Sequence, residues 1–343
     1  MARNSRPMNP STLQAYAGLQ QTMASAYGVI DVTQTFAATT PMETRLKDAV
    51  QASSDFLTMI NMEFVTDSVG EALGMAIANT LAGRTDTTGA GERTPTQAGA
   101  PDGPQYSVAQ TDFDVAMKYS LMDAWARYPN FMNRYMQHVY RRIALDQILV
   151  GWNGNSVAAT TDRGTYPLLD DVNIGWLKLL EDNNPTNFMT EGGVTDVISI
   201  GAAGDYKNLD GLVYDVYSGI GVPHRSGSEV AIVGEALVTD DMGKIYTAQS
   251  QNPNEKPKIK VMDKSYGGLT TLLVPGFPDM GVAVTDLKNL SIYTQDGTVR
   301  RTAKDNAPKN QVEDFISMNQ AYMVEDMKGF AAIKADNVIF KEA

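Results

Sequence analysis

Between Phe113 and Gly154 the hydrophobic period changes in mid-segment, and no other stretch limits the possible folds as strongly. Phe113, Val115, Met117, Tyr119 and Leu121 alternate with Asp112, Asp114, Ala116, Lys118 and Ser120, the period of two expected of a half-buried strand. Trp125, Tyr128, Met132, Tyr135, Val139, Ile143 and Leu149 then recur mostly at three- and four-residue steps, which predicts an amphipathic helix of unusual length. Pro129 suits its first turn, where a missing N–H costs nothing, and Gly151 is expected to stop it. Trp125, Tyr135, Val139 and Ile143 are assigned to the buried stripe. Arg134, Arg141 and Arg142 fall on the opposite face, together with Asp146, and become interface candidates.

Upstream of the strand lies Gly83 to Pro104, a run without a large apolar side chain. Such a composition cannot bury enough area to offset the entropy of ordering it alone. Strand-like segments flank it on both sides, which favours the tip of a long hairpin over an interdomain linker. Loops of this length inside a domain are uncommon and usually functional. Arg84, Asp86, Glu92 and Arg93 give the flap charged groups that could pair across an interface. A polar flap feeding a strand that feeds a long helix suits a building unit better than an enzyme.

The chain has 343 residues, beyond the usual size of a single core, so one large or two interlocked domains are expected. Apolar residues make up 43%, enough for an ordinary core, and the formal net charge of −12 argues against a nucleic-acid binder, because phosphate contacts need clustered Lys and Arg. There is no cysteine, which excludes disulfides, thiolate metal sites and a cysteine nucleophile. No apolar h-region follows the basic start and no segment approaches the ~20 apolar residues of a membrane span, so a protein without signal peptide or membrane is expected.

Elsewhere helices and strands intersperse without the βαβ rhythm of a parallel sheet, which predicts an α+β fold. Helical patterns occupy Ser11 to Tyr27, Pro41 towards Phe56, a short segment around Trp176, Asn208 to Ile220 and Glu235 to Tyr246. Strands are expected within Ile60 to Leu81, Val194 to Ile200, Val230 to Val233, Gly281 to Tyr293 and Val312 to Ile333. The N-terminal helix could be detachable or docked on the main body.

No catalytic constellation emerges. His138 falls within the long helix among arginines, and His224 has no acidic orienter nearby in sequence. No HExxH, P-loop, GxGxxG after a strand or GxSxG occurs. Asp170–Asp171 and Asp240–Asp241 are explained by helix capping and first-turn charge. Asp112 and Asp114 share a strand face that is read as solvated, and Lys256, Lys258, Lys260 and Lys264 as edge-strand protection. No catalytic residue, cofactor or metal site is assigned, and a hydrolase with an unrecognised site is the weakest reading.

Several blocks, in this order and spacing, resemble the major capsid proteins of the peduovirus family, temperate phages with contractile tails. They are SSDFLTMIN (Ser53–Asn61), TDTTGAGERTP (Thr85–Pro95), DAWARYPNF (Asp123–Phe131), ALDQILVGWNG (Ala144–Gly154), PLLDDVNIGWL (Pro167–Leu177), KNLDGLVYD (Lys207–Asp215), LKNLSIYTQDGTVRR (Leu287–Arg301) and VEDFISMNQAYMVED (Val312–Asp326). The resemblance implies an HK97-like major capsid fold. Residues 1–60 would be the N-terminal arm and 61–120 the extended E-loop hairpin with flanking strands. Residues 121–190 would hold the P-domain with its spine helix, 191–275 the A-domain, and 276–343 the strands returning to both domains. It further implies a structural protein that self-assembles into hexamers and pentamers of an icosahedral head around double-stranded DNA. Implied partners are other copies of itself, a portal protein, a scaffold or protease, decoration proteins and DNA contacted non-specifically. It implies assembly in the bacterial cytoplasm and residence in the virion. Met1 to about Thr40 matches weakly and is similar to the internal scaffold segment that a phage protease removes. Covalent cross-linking through an E-loop lysine is not expected, since no lysine lies between Arg84 and Ser107. The alternative is an encapsulin-like or tail-tube assembly protein without a genome.

Overall fold

The computed structural model describes residues 10–27, 29–71, 105–125, 131–241 and 265–341, together with positions 82, 84–85, 88, 92–93 and 128. Their organising element is the strand Gln311–Val324. Along one side it pairs antiparallel with Leu290–Gln295 and then Arg300–Asn306 (Ile292↔Tyr322, Thr302↔Phe315). Along the other it pairs with Ala109–Asp112 and Val115–Lys118 (Asp112↔Ser317, Val115↔Asp314). Asn61–Val65 adds a parallel edge against Leu290–Gln295, and Phe36–Ala37 an antiparallel one against Arg300–Asn306, giving a seven-stranded sheet.

The expected strand from Phe113 is therefore shorter than its alternation suggests. Lys118 stands opposite Gln311, where the partner strand begins, so residues beyond it have no ladder to join. They turn into a helix, Tyr119–Trp125, which places Leu121 in an exposed helical position. The spine helix proper is Phe131–Asn153, and Gly151 lies inside it instead of ending it.

A second, six-stranded sheet runs in the order Ser265–Tyr266, Leu269–Leu272, Val230–Val233, Val282–Thr285, Phe330–Ile333, Phe188–Met189. Its central strands have no polar face, because each side of the sheet meets a different core. Ile232, Ala283, Phe330 and Ala332 belong to the core beneath the spine helix. Their alternating neighbours Ala231, Val233, Val282, Val284, Ala331 and Ile333 join a second core with Leu212, Val213 and Val216 of the helix Leu209–Gly219. Period-two alternation thus makes this sheet the wall between two cores.

The two sheets are joined by two crossings, at residues 286–289 and 325–329. Asn289 ties them reciprocally: its Nδ2 donates to the Asp326 carbonyl at 2.8 Å and its Oδ1 accepts from the Asp326 N–H at 2.6 Å. The N-terminal helix, Pro10–Tyr27, is docked: Leu19 and Met23 are buried against Met117, Met122, Phe131 and Met136. The next helix, Thr40–Gln51, packs Leu46 and Val50 into the main core. Of the expected helix from Glu235, residues 235–241 are helical and the remainder lies outside the described residues, as do the four lysines between 256 and 264.

Candidate assembly surfaces

The spine helix is fixed from below by its own periodicity. Met136, Val139, Ile143, Gln147 and Val150 follow at three- and four-residue steps and are all buried, as are Ala144, Ile148 and Trp152. Val139 and Ile143 are 5% and 2% exposed, and Tyr135 is half-buried against the same cores, where burial pushes its phenol above the ordinary value. Trp125 ends the short helix that precedes the spine; its side chain lies outside the described residues.

The opposite face presents Arg134, His138, Arg141 and Arg142, all exposed. Arg142 is engaged within its own helix, with Nη2 2.8 Å from Asp146 Oδ1. The approach is that of an ion pair more than an aligned hydrogen bond, and with Arg142 two-thirds exposed it stabilises little. Arg134 and Arg141 have no acidic partner among the described residues, and they stand seven residues, two helical turns, apart. The face thus carries two uncommitted guanidinium groups able to grip carboxylates of another chain.

The helix's C-terminal end is set by backbone contact. A Cβ at Gly154 would lie 2.2 Å from the Asn173 carbonyl oxygen, and one at Gly175 would lie 2.5 Å from the Gly151 carbonyl oxygen. Trp152 and Trp176 meet edge-on with centroids 4.9 Å apart. Phe56, Phe277 and Tyr322 complete the aromatic cluster, and Trp176 Nε1 donates to the Ser291 carbonyl at 3.2 Å. Five of the sequence blocks quoted above converge here: those containing Phe56, Trp152, Trp176, Ser291 and Tyr322.

The flap springs from a separate two-stranded pair, Val69–Glu71 with Gln105–Ser107. Gly70 lies under the Tyr106 ring, close enough that a Cβ would sit 2.6 Å from the phenol oxygen. Tyr106 in turn stacks edge-on against Tyr293 of the large sheet at 5.2 Å, and Tyr293 donates to Glu325 at 2.7 Å. The two ends of segment 72–104 are therefore held side by side on a firm base. Within the flap, Arg84, Thr85, Thr88, Glu92 and Arg93 are exposed, while Asp86 lies outside the described residues.

Sequence reasoning missed two linkages. His224 does have an acidic partner, Asp326, with Nδ1 2.7 Å from Oδ2 across 102 residues of chain. The same loop fixes the neighbouring crossing, since Ser226 and Ser228 donate to Asp286 at 2.9 and 2.6 Å. The serines are spent on Asp286, and the loop works as a latch over both crossings. The second is Glu43, 1% exposed, which accepts from the N–H groups of Gly297 and Val299 at 3.0 Å each. Burial raises its carboxyl above the ordinary value, the two N–H groups pull it down, and the Asp296 carboxylate pushes it up again. Neither linkage had a local signal, because the partners lie in connections between distant strands. Asp112, Asp114, Ala116 and Lys118 are exposed at alternate positions, but Asp112 ends one strand and Asp114 lies in the break before the next, so the two do not share one strand. No cluster of three or more metal-binding side chains occurs among the described residues.

Residues 15–336 match the model of the phage major capsid protein, P2 family. The chain belongs to this family. The capsid protein of Escherichia phage P2 is 35% identical over 305 residues, covering 86% of this chain and 85% of the relative. The major capsid protein of Serratia phage KSP20 is 30% identical over 316 residues, covering 90% of each. Among solved structures, a chain of the satellite phage P4 procapsid with its size determination protein superposes with a TM-score of 0.80 at 32% identity, covering 94% of this chain and 99% of that one. The fold is accordingly the HK97-like capsid fold, and the molecule is a structural capsid protein of a phage virion, not an enzyme. Its partners include further copies of itself in the capsid. The genome-free alternative is not favoured, and no described helix is long and apolar enough to cross a membrane.

Proposed function

We propose that this capsid protein closes into an icosahedral head from hexamers and pentamers, with the flap of one subunit lying on the body of the next. Such rings use heterologous contacts, one patch meeting a different patch on the neighbour, repeated until rotation closes the ring. The observation that carries this reading is the flap root: a two-stranded base, anchored on Tyr293, brackets the run from Gly83 to Pro104 that has no large apolar side chain. Arg84 and Arg93 on the flap, with Arg134 and Arg141 on the spine, are the groups assigned to carboxylates of adjacent subunits. In this reading residues 61–120 form the E-loop and its flanking strands, 121–190 the P-domain and 191–275 the A-domain, with 1–60 the arm and 276–343 returning to both domains. The division into two cores on either side of the six-stranded sheet supports it.

The remaining partners follow from that role: a portal at one vertex, a scaffold or protease acting on the arm up to about Thr40, decoration proteins outside, and double-stranded DNA touched without sequence preference. A net charge of −12 suits an inner wall that does not hold the genome tightly. Overexpressed alone or with scaffold, the protein should sediment as capsomers, shells or tubes visible by electron microscopy. A monomer that persists at high concentration under both conditions refutes the proposal.

A further inference from the structure

Beneath the spine helix two glutamine side chains are sealed from solvent without protein partners. Gln147, on the buried stripe of the helix, is 2% exposed, and its Oε1 accepts from no donor. Gln320, in the central strand, is fully buried, and neither its Oε1 nor its Nε2 is bonded. A buried amide atom left unpaired loses the hydrogen bonds it made to water and gains none in return, so three such atoms in one place need a partner. Both residues line a cavity of about 20 Å³ that is otherwise walled mainly by apolar groups, among them Leu46, Val50, Met62 and Met318.

That volume suits a single water molecule, which needs roughly 10–15 Å³ and two to four polar partners. A dry cavity is the usual result where the lining is wholly apolar; here both glutamines, with their three unbonded amide atoms, belong to the lining. Lys47, the nearby cation, is committed elsewhere, with Nζ donating to the Met62 carbonyl at 3.1 Å and lying 4.9 Å from the centre of the Phe64 ring. Glu43 spends both carboxylate oxygens on the N–H groups of Gly297 and Val299. We propose that this cavity is a structural water site in which one buried water bridges the side-chain amides of Gln147 and Gln320.

The bridge joins two elements, the spine helix and the central strand, in a cavity that the helix Thr40–Gln51 also lines. A water can re-aim its hydrogen bonds where a direct amide pair cannot, so the joint stays satisfied when the helix slides slightly on the sheet. The inference concerns the folded subunit and is independent of the assembly reading.

A structure of the unmodified protein at a resolution that shows ordered waters tests it directly. The expected result is a peak within about 2.7–3.2 Å of Gln147 and Gln320 amide atoms. An empty cavity, or two amides turned to bond each other, overturns the proposal. A thermal cycle with Gln147→Leu, Gln320→Leu and the double variant gives the second reading. The double variant should lose less in Tm than the two single losses combined, because either substitution alone strands the water and the remaining amide. Additive losses overturn it.

Discussion

The indole of Trp176 occupies the place where a side chain on Gly151 would have to stand: a Cβ there would lie 2.4 Å from ring carbon Cζ3. Glycine is kept at this position by the approach of a neighbouring ring and not by any need to end the helix. The spine continues past it to Asn153 because the flanking Trp152 and Val150 are pulled into the core.

Gly151→Ala should therefore destabilise the subunit by about 1–3 kcal/mol, the usual cost of overpacking a filled core. Gly18→Ala is the matching control, since that helical glycine has nothing within 4 Å of its missing Cβ. The control should gain about 0.5–1 kcal/mol from helix propensity. Chemical denaturation of both variants checks the contrast.

Stability and assembly should separate on the spine. Ile143→Ala removes a side chain that is 2% exposed and should cost about 2–5 kcal/mol before assembly is tested. Arg141→Ala should stay within about 0.5 kcal/mol in subunit stability, yet reduce the yield of shells in sedimentation. Normal assembly by both variants would mean that the spine has been given the wrong role.

Between the strands Arg300–Asn306 and Gln311–Val324 lies a sealed ion pair. Arg301 donates through Nε and Nη2 to the two Asp314 oxygens at 3.0 and 2.6 Å, with both residues nearly without exposure. Arg301→Met should cost about 3–5 kcal/mol because Asp314 is left buried without a counter-charge. Replacing both residues with apolar ones, as Arg301→Met with Asp314→Leu, should recover most of that loss. A denaturation series across the three variants measures it.

Glu43 predicts a pH dependence with a definite sign. Its folded carboxyl is raised above the ordinary 4.5, so folding favours its protonated form. Its contribution is fully present below that ordinary value and falls as pH rises through the folded one. Glu43→Gln cannot titrate, so the stability gap between the unmodified protein and the variant should narrow on going upward from pH 4.5. A gap that widens over the same range would reverse the assignment.

Removing Thr87–Ala100 should leave a folded subunit, since the root pair Val69–Glu71 and Gln105–Ser107 lies outside the deletion and rests on Tyr293. Shells should fail to form or should dissociate readily. Circular dichroism with sedimentation distinguishes loss of assembly from loss of fold.

What was legible in the sequence was whatever depends on near neighbours. The helix Leu209–Gly219 shows its buried face as Leu209, Leu212, Val213 and Val216 in the bare sequence, and the strand Val230–Val233 is a plain β-branched run. The break after Lys118 was not legible, because it depends on where a partner nearly two hundred residues away begins. Nor was the His224–Asp326 pair, made at a crossing between the sheets, or the Glu43 clamp, made by the turn at 296–299; no local period reports either. The quoted blocks named the family, yet the physical reason that Phe56, Trp152, Trp176 and Tyr322 stand in them, their meeting in one aromatic core, appears only in three dimensions.

The position of the central strand also dictates an order of events during synthesis. Gln311–Val324 stands between the strands on its two sides, and Asn61–Val65 lines up only against Leu290–Gln295. A chain leaving the ribosome therefore carries Asn61–Val65, Ala109–Asp112 and Val115–Lys118 without their partner strands until synthesis is nearly complete. Closing such distant pairings is slow and leaves apolar edges open to other nascent chains. In a cell making many copies at once, any delay in closing this one strand lengthens the time in which such open edges can meet.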